Sequence, residues 1–171
     1  PFDYYSEKEV QYKEYTLMRE GIISHDELLV LANHMFETYP KLCDILKDKY
    51  QFIFIDEYQD TNPKVVEIFI DSLAKSKKDN IVGFYGDAMQ SIYDDGIGNL
   101  DKYITSNDVK EVQKKQNRRN PRLVFELANQ LRTDGIVQEP STDNNAPNMQ
   151  DGAVKEGNVK YYYSTGEANK L

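Results

Sequence analysis

The sequence predicts an α/β fold, a parallel sheet flanked by helices. Two uninterrupted apolar runs, Phe52-Ile53-Phe54-Ile55 and Ile81-Val82-Gly83-Phe84-Tyr85, each stop at a polar turn, Asp56-Glu57 and Gly86-Asp87. Apolar runs without alternation read as strands buried on both faces, as in parallel sheets. Between them, Asn62-Pro63 reads as an N-cap followed by proline at the first helical position. The helix it opens carries Val66, Phe69, Ile70 and Leu73 on one face. Strand, helix, strand over this length is a βαβ unit, so the two strands are expected to be parallel with a right-handed crossover.

The other elements follow in chain order. Ser6-x-x-Glu9 has capping-box spacing, predicting a helix over Glu7 to Arg19 that ends at Gly21. Ser24-His25-Asp26-Glu27 is a second capping box, and Leu28, Leu31, Ala32, Met35 and Phe36 follow at helical spacing as a core-facing stripe. Pro40 interrupts that helix, and Leu42, Ile45 and Leu46 predict a short one up to Lys49. Lys75, Lys77 and Lys78 read as the solvated C-terminus of the crossover helix, suited to the negative end of its dipole. Asp94 to Gly98 is a turn, and Val109 to Gln113 alternates as a short strand. Asn120-Pro121 opens a helix with Leu123, Val124, Leu127, Ala128 and Leu131 apolar. Residues 133–157, rich in Asp, Asn, Gly and Pro, read as a loop or linker, and Val159 to Tyr163 as one more strand.

Composition narrows the function classes. The chain has 171 residues and a formal net charge of −8, which argues against a surface coated with nucleic acid. A local basic cluster exists at Lys110, Lys114, Lys115, Arg118, Arg119 and Arg122. A single cysteine, Cys43, excludes a disulfide framework and a cysteine-based zinc site. No apolar run approaches a membrane span and no signal peptide is visible, so the expected setting is cytoplasmic, with no membrane partner. The chain, beginning at Pro1, reads as a piece of a longer protein.

The chemistry concentrates at the strand ends. Ligands of open α/β sheets bind beyond the carboxyl ends of strands, where Asp56 and Glu57 stand. Paired carboxylates there can hold Mg²⁺ and orient or deprotonate a water.

Asp56-Glu57-Tyr58-Gln59-Asp60-Thr61-Asn62 resembles the Walker B segment of UvrD/Rep-type superfamily-one DNA helicases. Gly86-Asp87-Ala88-Met89-Gln90-Ser91-Ile92-Tyr93 resembles that family's Gly-Asp-Asp-Asp-Gln-Ser-Ile-Tyr, and Gln116-Asn117-Arg118-Arg119-Asn120 its Gln-Asn-Tyr-Arg-Ser. The resemblance runs from about Tyr12 to Tyr163. It implies a partial RecA-like (P-loop NTPase) domain, an incomplete fragment. Residues 1–132 would be the C-terminal part of a first RecA-like domain, 133–157 a linker, and 158–171 the first strand of a second.

By the same resemblance, the whole protein would be an ATP-dependent helicase or translocase, with ATP and Mg²⁺ as cofactors and single-stranded DNA as partner. Asp56 would hold the metal, Glu57 activate the attacking water, and Gln90 sense the γ-phosphate. Arg119 would act as an arginine finger, and Arg118 would stack on the base in place of the family's tyrosine. Tyr93 is a candidate DNA contact. His25 is a weaker one, otherwise a solvated histidine at a helix start.

The sequence departs from the family in further places besides Arg118 and the Ala88-Met89 pair, which stands where the family has two acidic residues. Asp94-Asp95-Gly96 replaces Trp-Arg-Gly, removing an aromatic that stacks on DNA and placing two carboxylates near the expected DNA path. No Gly-x-x-x-x-Gly-Lys-Ser/Thr phosphate loop occurs. The isolated chain is therefore expected not to hydrolyse ATP. The alternative expectation is a helicase-like nucleic-acid-binding or regulatory module without motor activity.

Overall fold

The computed structural model describes residues 11–163. The chain divides into two compact units, Pro1–Lys110 and Glu111–Leu171.

The first unit is built around the predicted βαβ. Strands β3 (Phe52–Ile55) and β4 (Ile81–Phe84) pair in parallel, Phe52 opposite Ile81 through Ile55 opposite Phe84. The ladder runs past both strand ends, with Tyr85 N donating to Ile55 O at 2.8 Å and Tyr58 N to Tyr85 O at 3.1 Å. Helix α3 (Pro63–Glu67) connects them, its Asn62 cap accepting from Lys64 N. It continues through a π turn, Ile68–Ser72, and a 3-10 turn, Leu73–Lys75. Val66 and Ile70 pack with Leu100 and Tyr103 as the core, with Tyr58, Phe84 and Ile97 against them. Tyr103 comes from α4 (Asp101–Thr105) and donates to Asp71 Oδ2. Burial first, and the neighbouring Asp71 carboxylate second, push its phenol up to about 12.

The expectation of strands buried on both faces is corrected. Phe52, Phe54 and Ile81 are 60%, 62% and 58% exposed, whereas Ile53, Ile55 and Val82 are half-buried. This sheet has two strands among the described residues, and the face that carries Phe52, Phe54 and Ile81 is left exposed.

The predicted helix over Glu7 to Arg19 does not form in its described part, and Ser6 to Val10 lie outside the described residues. Gln11–Tyr12 is strand β1, paired in parallel with β2 (Ile22–Ile23), and only Met18–Glu20 makes a 3-10 turn. Gly21, at φ +77°, turns the chain so that Leu17 and Ile22 exchange backbone hydrogen bonds. This conformation buries Ile22, which outweighs the local capping signal.

Helix α1 (His25–Thr38) starts at the predicted capping box, with Ser24 N donating to the Glu27 carboxylate. The Ser24 hydroxyl also donates to it, and Thr16 Oγ1 does so at 2.6 Å. These hydroxyl donors hold Glu27 down at about 2, Ser24 contributing most. The predicted core stripe is only partly covered. Ala32 and Phe36 are half-buried, but Leu28, Leu31 and Met35 are exposed. The helix turns Asn33 rather than these residues towards α3, where its Nδ2 donates to Glu67 Oε2.

Helix α2 (Pro40–Lys49) buries Cys43, whose thiol donates to Ser72 O. It also buries Lys47, whose ammonium donates to Ser76 O and Lys78 O at 3.3 and 2.7 Å. A lysine from α2 thus caps the end of the crossover, while Lys75, Lys77 and Lys78 stay exposed.

The predicted strand at Val109 to Gln113 is absent. Asp108 N and Val109 N both donate to Tyr103 O, which curls the chain, and Val112 is 82% exposed.

In the second unit, β5 (Gln116–Asn117) pairs in parallel with β6 (Glu139–Pro140). Helix α5 (Arg122–Leu131) lies between them and buries Phe125, leaving Leu127 and Leu131 exposed. Residues read as loop contain β6 and an antiparallel hairpin of β7 (Met149–Gln150) and β8 (Ala153–Val154). Asp151 and Gly152 between these strands have φ of 52° and 78°, the pair of positive values that a type I′ hairpin turn needs. Val159 to Tyr163, read as a strand, is irregular and exposed at Tyr161, Tyr162 and Tyr163, with no pairing strand among the described residues.

Candidate functional site

Asp56 and Glu57 stand at the carboxyl end of β3 with exposed side chains. Asp56 Oδ1 accepts from Glu57 N at 3.1 Å. Glu57 adopts a left-handed backbone, φ 48° and ψ 49°, which is costly for a residue with a Cβ and marks a position held by its surroundings. The conformation ends the strand abruptly and starts the 3-10 turn Tyr58–Asp60.

The surroundings that hold it centre on Gln59, which is 1% exposed. Its Nε2 donates to Glu57 Oε2 at 2.8 Å, with Asp60 Oδ2 further away at 3.4 Å. Its Oε1 accepts from Asp87 N, beyond β4, at 3.1 Å. Asp87 caps the turn Ala88–Gln90, accepting from Met89 N at Oδ1 and from Gln90 Nε2 at Oδ2, the latter at 2.9 Å. A continuous chain of hydrogen bonds therefore joins Glu57, Gln59, Asp87 and Gln90.

Glycine is required where these two loops meet. A Cβ on Gly86 would lie 2.2 Å from Gln59 Oε1. Asp60 Oδ1 accepts from Ile92 N, so the loop after β4 is tied to the acidic loop a second time. The turn Asp94 to Gly98 folds onto the same loop, with Ile97 N donating to Thr61 O and Gly98 N to Gln59 O.

Of the predicted site residues, Asp56, Glu57 and Gln90 are thus gathered at one end of the β3–β4 pair. Tyr93, 58% exposed, follows Gln90 on the same loop. His25 begins α1 and is exposed.

Arg118 and Arg119 belong to the second unit, on the turn between β5 and α5, and both are exposed. Asn117 Oδ1 accepts from Arg119 N and Asn120 N, shaping that turn from within. Asn148, 1% exposed, clamps it from outside, donating from Nδ2 to Asn117 O at 3.0 Å and Asn120 O at 2.8 Å. Arg118 pairs with Asp143 at 2.5 Å. Asp143 is held below the usual carboxylate range by the Asn145 N–H first and by Arg118 second. The basic cluster is partly neutralised, since Arg122 forks onto Glu156.

Among the described residues, no group of three or more His, Cys, Asp or Glu side chains is arranged to hold a metal ion. The exposed Asp56–Glu57 pair nevertheless suits Mg²⁺, which takes one or two carboxylates and completes its shell with waters and substrate phosphates. Among the described residues, no helix is long and apolar enough to cross a membrane.

Sequence reasoning missed Gln59 and Asn148. Gln59 had a local signal: it lies two residues after Glu57, inside the same motif. Asn148 had none, since it stands in a polar loop whose partner turn is distant in sequence.

The chain is 40% identical over 146 residues to Gabija protein GajB of Bacillus cereus, covering 84% of this chain and 20% of that protein. It is 32% identical over 119 residues to DNA helicase II of Haemophilus influenzae, covering 68% and 16%. It is 29% identical over 126 residues to the ATP-dependent DNA helicase PcrA of Staphylococcus epidermidis, covering 70% and 17%. The chain thus spans a fifth or less of the length of these relatives. The family model described as UvrD/REP helicase N-terminal domain matches residues 3–130, most of the chain, and the chain belongs to that family.

Proposed function

We propose that this chain is part of an ATP-dependent DNA helicase or translocase that couples ATP hydrolysis to movement on single-stranded DNA. The observation that carries the reading is the hydrogen-bonded link from Glu57 through Gln59 and Asp87 to Gln90 at the ends of parallel strands. It joins a general-base candidate to a polar side chain on a second loop, the connection a nucleotide-driven motor needs between chemistry and response.

In this reading Asp56 holds Mg²⁺, which when bound neutralises charge on the phosphates. Glu57 accepts the proton of the attacking water at its carboxylate. Gln90 contacts the γ-phosphate, and Arg119, on its clamped turn, stabilises the charge that develops there. Arg118 contacts the base and Tyr93 the DNA. The phosphate cradle must come from outside these 171 residues, since the chain lacks the phosphate-loop motif. The isolated chain is accordingly proposed to be inactive.

The test is ATP hydrolysis by the full-length protein with and without single-stranded DNA. DNA-stimulated turnover is expected. Glu57→Gln should lower kcat by about 10² to 10⁴, and Arg119→Ala by roughly 10³ to 10⁵. Full activity in either variant would refute the corresponding role. DNA binding without any ATP turnover would favour instead the regulatory module suggested by Asp94-Asp95 in place of an aromatic.

A further inference from the structure

We infer that Gln59 is a positioning residue: it fixes the Glu57 carboxylate and ties it mechanically to the loop that carries Gln90. The inference rests on the reading of Glu57 as the water-activating base. Gln59 itself is buried, so it acts through its neighbours.

The two ends of its amide have different tasks. The Glu57 carboxylate only accepts and the Asp87 N–H only donates, so the amide has one allowed orientation. Its nitrogen donates to Glu57 Oε2 at 2.8 Å, and its oxygen accepts from Asp87 N at 3.1 Å. The side chain cannot swing aside without abandoning both. Its own carbonyl accepts from Gly98 N at 2.9 Å, so the backbone beneath it is held as well. Gly86 leaves no Cβ where the amide oxygen lies, which admits the close approach of the two loops. A displacement of the Asp87 to Gln90 turn is thereby transmitted to Glu57 through one side chain.

Two substitutions separate the tasks. Gln59→Glu keeps an oxygen to accept from Asp87 N but sets a carboxylate against Glu57. Gln59→Met keeps the length and removes both bonds. In the full-length protein with single-stranded DNA, Gln59→Glu is expected to lower kcat for ATP by roughly 10- to 100-fold, the cost of a misplaced catalytic group. KM for ATP should stay near the wild-type value. Adding Gln59→Glu to Glu57→Gln should cost nothing beyond Glu57→Gln alone, because no base remains to be positioned. Independently of activity, amide hydrogen exchange at Asp87 should be slow in wild type and Gln59→Glu, and faster in Gln59→Met.

Wild-type kcat in Gln59→Glu, or full additivity with Glu57→Gln, would overturn the inference while leaving the helicase reading in place. Should Gln59→Glu fail to fold, wild-type kcat in Gln59→Met would overturn it equally. Equal exchange at Asp87 in wild type and Gln59→Met would overturn the mechanical tie. A wild-type protein without ATP turnover, or a Glu57→Gln variant as active as wild type, would overturn the reading of Glu57 and this inference with it.

Discussion

Replacing Gly96 by alanine tests how closely the Asp94 to Gly98 turn is seated on the acidic loop. A Cβ at Gly96 would lie 2.4 Å from the backbone oxygen of Gln59 and 3.0 Å from Asp60 Cα. Both are main-chain atoms, so no flexible side chain can give way, and the turn must lift. Two hydrogen bonds are at risk, Ile97 N to Thr61 O and Gly98 N to Gln59 O, each 2.9 Å. At about 0.5–1.5 kcal/mol each, with about 1–3 kcal/mol for overpacking, the cost comes to roughly 2–6 kcal/mol. Gly98 supplies the control. Its φ is +69° and nothing lies within 4 Å of its would-be Cβ, so Gly98→Ala bears only the left-handed backbone penalty of about 1–2 kcal/mol. The two variants are compared in the full-length protein by urea unfolding and by hydrogen exchange at the Ile97 and Gly98 amides. Gly96→Ala is expected to cost more and to release both amides. A Gly96→Ala variant no less stable than Gly98→Ala would refute the close approach.

The remaining predictions concern the two units separately. The ordinary pKa of Glu27 is 4.5 and its folded value is about 2, so its ionised form stabilises the fold above about 4.5. The stability advantage of wild type over Glu27→Gln should shrink as pH falls from there towards about 2, and an advantage constant with pH, followed by thermal unfolding, would contradict it. Leu73→Ala empties a buried position and should cost about 2–5 kcal/mol in urea unfolding. Asn148→Ala removes both clamps on the arginine turn, at about 1–3 kcal/mol in all. It should speed amide exchange at Arg119 and Asn120, and unchanged exchange there would show that Asn117 alone shapes the turn.

How much of this was legible depends on how local each cause is. The parallel pairing of β3 and β4 was legible because two apolar runs joined by a proline-started helix leave few topologies. The caps at Ser24 and Asn62 were legible because a cap is made within a few residues. β1 was not, since Gln11 and Tyr12 carry no strand signature and owe their pairing to the turn at Gly21 that buries Ile22. The exposure of Phe52 and Phe54 was illegible for a different reason. Hydrophobicity says which side chains seek cover, but not which faces of a sheet its neighbours leave exposed.

Gln59 shows where motif reading stops. The motif places Asp56 and Glu57 together by covalent adjacency, and proximity of Gln90 follows from parallel pairing. Nothing in either segment says that a buried amide spans them, because that contact joins residues 28 apart in sequence. The missing Cβ at Gly86 makes sense only once Gln59 is placed against it. Two loops that merely shared a sheet end could each bind one part of a ligand and remain independent. Joined through this amide, with donor and acceptor both engaged, as well as through Asp60 and Ile92, they can move independently only by leaving a buried polar group unpaired, at about 1–3 kcal/mol. That penalty exceeds thermal energy, about 0.6 kcal/mol, several-fold at its upper end, so a change at Gln90 biases the position of Glu57 without forbidding its release.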